Sequence, residues 1–367
     1  MKNFKSNIIP LSHFNNMPLY ESGESSIKGK ENVVKLSANE NMNGPCDEVL
    51  NQFPHYSKNI FEYPDSDHFS LRSKIGQTYN IDPNRVVCGA GSDEIIQLLC
   101  RCFCEKNDEV IYTEHGFLMY KLSALAAGAK PVEVKENNRT ASIDNIYAAI
   151  TSRTKIIFLA NPNNPTGTMI SDNEIQKLLN KIPNNILLVL DGAYVEYVDS
   201  SDGGISLVNK FTNLFVTRTF SKIFGLGGLR VGWAYGAIEI IDVLNSVRSP
   251  FNVSSLGLKM AELSIQDINF VRDQRELNRN NREFLRNRLL DLGVKTDRSF
   301  ANFLLLRFLD EEQANAIDLY LRERGFILRK VGSYGLPNSL RLSVGKKEIC
   351  EKLYLTLAEY FNNNDRI

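Results

Sequence analysis

Thr219-Phe-Ser-Lys-Ile-Phe-Gly-Leu-Gly-Gly-Leu-Arg-Val-Gly232 places one lysine behind two hydroxyls, an arginine eight residues further on, and four glycines around them. The apolar run Leu214-Phe-Val216 leads into this stretch and predicts a buried strand, so Lys222 falls just past its carboxyl end. A lysine taken out of water must be paired or lose its proton. The deprotonated amine is then a nucleophile toward carbonyl carbon. A surface lysine on a flexible loop is the plain alternative, and the hydroxyls, glycines and arginine gathered around Lys222 fit it poorly.

The arrangement repeats. Ile156-Ile-Phe-Leu-Ala160 ends in Asn161-Pro-Asn-Asn-Pro-Thr-Gly167, and Ile186-Leu-Leu-Val-Leu190 ends in Asp191-Gly-Ala-Tyr194. Arg85-Val-Val-Cys88 ends in Gly89-Ala-Gly-Ser-Asp-Glu94, where a helical pattern, Glu94–Phe103, begins. Aliphatic runs separated by helical patterns predict parallel strands buried on both faces. In open sheets of that kind the ligand crevice lies beyond the carboxyl ends of the strands. All four polar clusters fall at that edge.

Together the clusters meet the needs of pyridoxal phosphate. A phosphate takes backbone N–H groups at a helix start, which Gly91-Ser92-Asp93 offers. Thr219, Ser221 and Arg230 add hydroxyl and guanidinium donors. The pyridine nitrogen must stay protonated for the ring to draw electrons, and Asp191 is the candidate carboxylate for it. Asn164 and Tyr194 suit the phenolic oxygen. Phe117, in a loop after Val110-Ile-Tyr112, is a candidate to stack on the ring; a plain core aromatic is the equal alternative.

On these motifs the chain resembles the fold-type I pyridoxal-phosphate aminotransferases, and within them the histidinol-phosphate aminotransferase branch. The Ser-Lys…Arg segment, Asn-Pro-Thr-Gly and Asp-x-Ala-Tyr mark the cofactor class. Lys35-Leu-Ser-Ala-Asn-Glu-Asn41, Glu62-Tyr-Pro-Asp65 and Ser339-Leu-Arg-Leu-Ser-Val-Gly345 extend the likeness nearly end to end. The resemblance implies that Lys222 holds the cofactor, Asp191 faces its ring nitrogen, Asn164 and Tyr194 face its phenolic oxygen, and Phe117 stacks on it. It implies that Tyr63 reaches the phosphate in a neighbouring subunit, so the chain is expected to be a homodimer. Arg341 and Arg329 are implied as grips for the substrate's acidic end, with Tyr20 and Asn39 as further substrate contacts. The implied reaction converts L-histidinol phosphate and 2-oxoglutarate to imidazole-acetol phosphate and glutamate, a step of histidine synthesis. Two positions depart from the pattern. Met42 stands where a proline usually follows Asn-Glu-Asn, and Pro18-Leu-Tyr20 has one residue between proline and tyrosine where the family usually has none. The second departure weakens the assignment of Tyr20.

Aromatic amino-acid transamination and a lyase reaction like that of the threonine-phosphate decarboxylases stay open on the same lysine, aspartate and arginine set. A non-catalytic binding protein is disfavoured, because loss of the lysine would be its simplest mark.

Lys plus Arg (43) equals Asp plus Glu (43) in 367 residues, so no global field favours nucleic acid or an acidic membrane. No apolar run approaches ~20 residues, and Met1–Asn7 has no secretory core, so a cytoplasmic enzyme is expected. Cys100, Cys102 and Cys104 invite a metal reading, but residues two apart on a helix lie about 200° apart and cannot clamp one ion. Core packing in a reducing compartment is the reading adopted. His13, His55, His68 and His115 form no metal-spaced pair, and only His115 lies near the proposed stacking loop.

The carboxyl-terminal part has another rhythm. An amphipathic helix is predicted over Phe270–Leu292, a strand over Phe300–Arg307, a helix over Ala314–Arg324, and a strand pair from Phe326–Arg329 and Ser339–Ser343 around the turn Gly335-Leu-Pro337. The expected fold is α/β: a mostly parallel central sheet flanked by helices over 46–262, a smaller α+β domain over 263–367, and an amino-terminal arm over 1–45 that shares the small domain.

Overall fold

In the computed structural model, described for residues 8–15, 17–20 and 22–364, the four aliphatic runs become strands of one sheet. The amino-terminal residues 1–7, examined above for a leader, lie outside the described residues. The strands in chain order are β1 (Val34–Lys35), β2 (Val86–Gly89), β3 (Glu109–Thr113), β4 (Lys130–Val134), β5 (Thr154–Ala160), β6 (Leu187–Asp191), β7 (Leu214–Thr219) and β8 (Gly232–Tyr235). Seven of them form a sheet ordered β2-β8-β7-β6-β5-β3-β4. Parallel pairs join β4, β3, β5, β6 and β7, and every residue of β2, β3, β6 and β7 is buried. Helices on both faces explain the near-continuous aliphatic content of these strands.

β8 departs from the expected pattern. It runs antiparallel to both β7 and β2 and so links the two, where a direct parallel contact would have been the simpler arrangement. Gly232 opens it opposite both Gly89 and Thr219, and a Cβ there would collide with Ser92 N. That glycine is required by close approach of backbone to backbone.

A second sheet, ordered β12-β13-β10-β9, comprises β9 (Lys295–Thr296), β10 (Phe303–Arg307), β12 (Arg329–Lys330) and β13 (Ser339–Ser343). The run Phe326–Arg329 is not one strand. Its first part, β11 (Phe326–Ile327), pairs in parallel with β1, and only β12 pairs with β13. The amino-terminal segment is thereby fastened beside the second sheet. The predicted strand from Phe300 starts at Phe303, and the helix expected from Ala314 starts at Glu311, capped by the Asp310 side chain on Gln313 N–H. The long helix spans Ile268–Asp291. Leu36, Leu289, Leu304, Ile317, Leu340 and Leu353 share a core separate from the two cores on the faces of the large sheet.

Cys100 lies on the helix Ser92–Phe103 and Cys104 just beyond it, both packed in an apolar core. Among the described residues no helix is long and apolar enough to cross a membrane.

Candidate active site

The carboxyl ends of β5, β6 and β7 and the turn after β2 open into one cavity of about 420 Å³. At one end lies the helix start. Gly91, at φ 82°, turns the chain so that Ser92 and Asp93 begin the helix with unpaired backbone N–H groups of its first turn. Arg230, itself at φ 54°, donates from Nη1 to Ser221 Oγ (3.3 Å) and from Nη2 to Asp93 Oδ2 (3.1 Å). Thr219 Oγ1 accepts the Ser221 N–H at 3.1 Å. A helix N-terminus, hydroxyls and a guanidinium therefore converge on one corner, the donor set of a phosphate site.

Asp191 ends β6, lines the cavity and is buried. Its Oδ2 accepts the Tyr120 hydroxyl at 2.7 Å, and its Oδ1 accepts Thr217 Oγ1 and Ala193 N, both at 3.1 Å. Burial pushes the Asp191 carboxyl above its ordinary value, and the Tyr120 and Thr217 hydroxyls pull it back. Among the described residues it makes no ion pair.

Lys222 is half-buried and points into the cavity, where Nζ donates to Ala38 O at 3.2 Å and stands 5.5 Å from the centre of the Tyr194 ring. The Tyr194 hydroxyl accepts Asn39 Nδ2 at 2.9 Å, and its ring packs edge-on against Phe303 at 5.2 Å. Asn39, at φ 55°, is itself fixed by Ser343 Oγ and by Asn302 Nδ2, which donates to its carbonyl. Phe117 lines the cavity at the start of the helix Leu118–Ala126.

Arg341 is buried, contrary to the usual outward-facing arginine of a strand. Its Nη1 donates to Asn164 Oδ1 at 2.5 Å and its Nη2 to Ser37 O at 2.6 Å, while Nε is buried with no partner among the described residues. Burial pulls its pKa below the usual arginine value. No carboxylate among the described residues pairs with it. Asn164 itself lines the cavity. Arg329, opposite Arg341 in the β12–β13 register, also lines the cavity and donates to Ser22 O.

Tyr20 lines the cavity and meets Phe117 edge-on at 6.5 Å. Tyr63 is not brought to this cavity: it is 82 % exposed and stacks on Phe251 at 4.6 Å. His115 turns away too, its Nδ1 bonded to Tyr334 O at 2.7 Å, a loop-fixing role. Sequence reading missed Tyr120, Tyr334 and Lys35, all of which line the cavity. Tyr120 alone had a signal, since three residues after Phe117 on one helix gives the same face.

The model of the aminotransferase class I and II family matches residues 31–356. The chain belongs to that family. It is 47 % identical over 353 residues to the histidinol-phosphate aminotransferase of Ruegeria sp. (strain TM1040), covering 96 % of this chain and 98 % of that protein. It is 46 % identical to the enzyme of the same name from Paracoccus denitrificans (strain Pd 1222), covering 98 % of each. In fold it is similar to the histidinol-phosphate aminotransferase of Sinorhizobium meliloti in complex with pyridoxal-5'-phosphate (TM-score 0.86, 24 % identity, 91 % and 92 % of the two chains). It is also similar to aspartate aminotransferase from Thermus thermophilus with maleate (TM-score 0.78, 21 % identity, 89 % and 91 %). The sheet described above is thus the fold-type I architecture.

Proposed function

We propose that this chain is a pyridoxal-phosphate-dependent aminotransferase that converts L-histidinol phosphate and 2-oxoglutarate to imidazole-acetol phosphate and glutamate. The carrying observation is a pair of uncompensated buried charges facing one cavity, the Asp191 carboxylate and the Arg341 guanidinium. A buried charge without a counter-charge is costly unless a ligand supplies it. A protonated pyridine nitrogen fits the first, and a substrate phosphate or carboxylate fits the second. Relatives of this name at about 47 % identity along nearly the whole chain favour that donor.

Bound pyridoxal phosphate supplies the electron sink that makes the α-hydrogen of an amino acid acidic. In this reading the chain does the rest. Lys222 Nζ would hold the aldehyde end and would serve as the base that takes the proton from the substrate's α-carbon and passes it to the cofactor's aldehyde carbon. Asp191 holds the proton on the ring nitrogen, and Tyr194 and Asn164 donate to the phenolic oxygen. Ser92, Asp93 (through its backbone), Thr219, Ser221 and Arg230 hold the phosphate, and Phe117 keeps water from the ring face. Arg329 and Arg341 orient the acidic end of either substrate, with Tyr20 and Asn39 beside them. A phosphate dianion can engage both guanidinium groups, and a carboxylate reuses them.

The same reading makes the chain a homodimer in which Tyr63 completes the partner's phosphate site. Tyr63, Phe61, Ile60 and Phe69 leave an exposed apolar surface that a second copy would cover. It assigns 46–262 to the cofactor-bearing domain and 1–45 with 263–367 to the smaller one. Six free cysteines accord with a cytoplasmic location. The test is single-turnover spectroscopy of the pyridoxal-phosphate-loaded protein with histidinol phosphate, phenylalanine and threonine phosphate offered separately. Fastest conversion of histidinol phosphate supports the assignment; a higher kcat/KM for phenylalanine makes the chain an aromatic aminotransferase, and carbon dioxide release from threonine phosphate makes it a lyase. Sedimentation of an active monomer at low micromolar concentration would remove the dimer.

A further inference from the structure

Asp191 Oδ2 has one donor among its described contacts, the Tyr120 hydroxyl at 2.7 Å. The ring that carries that hydroxyl is held from two sides. Tyr120 is buried, its ring stacks on Phe158 of β5 with centres 4.7 Å apart and planes 3° apart, and the Phe117 ring meets it edge-on at 5.8 Å. The helix carrying Tyr120 begins directly after Phe117, so one short segment supplies both the residue facing the cavity and the one beneath it.

The other groups around Asp191 do not replace this contact. Thr217 and Ala193 donate to the opposite oxygen, and Asp93 opposes ionisation through its negative charge. The Lys222 ammonium, on the cavity side, is bonded to Ala38 O and makes no ion pair with Asp191. A carboxylate so placed stays charged through neutral donors alone, and a donor lost leaves an oxygen buried without a partner.

We propose that Tyr120 is a positioning residue for amino transfer: anchored by Phe158, its hydroxyl keeps the Asp191 carboxylate ionised and turned toward the ring nitrogen. This rests on the assignment of Asp191 above. Tyr120→Phe keeps the ring and its stacking and removes only the donor. The variant apoprotein should be less stable than wild type, and its deficit in Tm should widen by about 3 °C as pH rises from the ordinary carboxylate value, 3.8, through the raised Asp191 values of wild type and variant. The sign follows from linkage. Without the hydroxyl the folded-state pKa of Asp191 rises further, so the added loss is absent while the group is protonated and complete once it is ionised. In the Asp191→Asn background the widening should vanish. For the loaded enzyme, the dissociation constant for pyridoxal phosphate should rise about tenfold, and kcat should fall about tenfold with the donor KM within twofold. A deficit that stays constant across the whole pH titration, or widening that survives in Asp191→Asn, overturns the proposal, as does a cofactor affinity within twofold of wild type. If wild type binds no pyridoxal phosphate while the apoprotein measurements behave as stated, the functional assignment fails and the Tyr120–Asp191 coupling stands.

Discussion

Asp191 and Glu196 lie five residues apart, and both carboxylates are buried. Burial pushes each above its ordinary value. Their surroundings differ in kind. Glu196 faces Arg218 of β7, whose Nη1 lies 3.2 Å from Oε1 with both side chains at most 5 % exposed, and Tyr79 adds a hydroxyl. That pair is closed within the chain. Among the described residues Asp191 has hydroxyls and one N–H but no cation, and Arg341, also lining the cavity, has amide and carbonyl oxygens but no anion. The fold balances charge at Glu196 and leaves it open at the cavity, where the proposed cofactor and substrate would bring the counter-charge.

The comparison breaks most sharply by neutralisation. Asp191→Asn should lower kcat by roughly three orders of magnitude, within the range expected for a lost proton-holding group. The apoprotein should keep its stability or gain some at pH 8, because an uncompensated buried charge is removed. A kcat near that of wild type would mean the ring is held another way. Arg341→Met should raise KM for histidinol phosphate by about one to two orders of magnitude, the worth of a buried charged hydrogen bond; unchanged KM values for both substrates would count against its role. Arg329→Ala should raise that KM about tenfold and affect phenylalanine less. Glu196→Gln belongs to the other class. It strands the Arg218 charge and should cost about 3–5 kcal/mol of stability by denaturant titration, with most of the activity per folded molecule retained.

The smallest effect is in pH. A carboxyl whose pKa is raised by folding favours the folded state while protonated, and that advantage disappears as pH climbs from the ordinary value, 3.8 for Asp191, through the raised one. Apoprotein stability should therefore decline over that window. Saturating pyridoxal phosphate should flatten the slope, since its ring cation compensates Asp191. Equal slopes with and without the cofactor would separate Asp191 from the ring nitrogen.

Much of this was legible in the chain. β5, β6 and the Leu214-Phe-Val216 start of β7 announce themselves because strands covered on both faces are mostly apolar, and their polar ends mark the cavity edge. β8 did not, because Gly232-Trp-Ala-Tyr235 is short, begins with glycine and lacks β-branched residues. The split of Phe326–Lys330 between two sheets was hidden since the partner of Phe326 is Val34, far away in the sequence. In Ser339-Leu-Arg-Leu-Ser343 the alternation was plain, with Leu340 and Leu342 in the core, but which face met the cavity depended on how the two sheets pack. The Tyr120 contact needs two elements and a side-chain geometry that no local pattern encodes.

The antiparallel strand has a bearing on how the chain assembles as it emerges from the ribosome. β2 sits at the edge of the large sheet with β8 as its one neighbour, and the two are separated by more than a hundred residues of nascent polypeptide. Until Gly232–Tyr235 has been synthesised, β2 lacks its strand partner and can pack against the helices Phe69–Tyr79 and Ser92–Phe103, although the β3–β7 pairs can already form. A fragment truncated before Gly232 would keep Lys222, Asp191 and Arg230 yet lack the strand that ties β2 to β7, so the corner of the cavity at Gly91–Asp93 would be fixed late in translation.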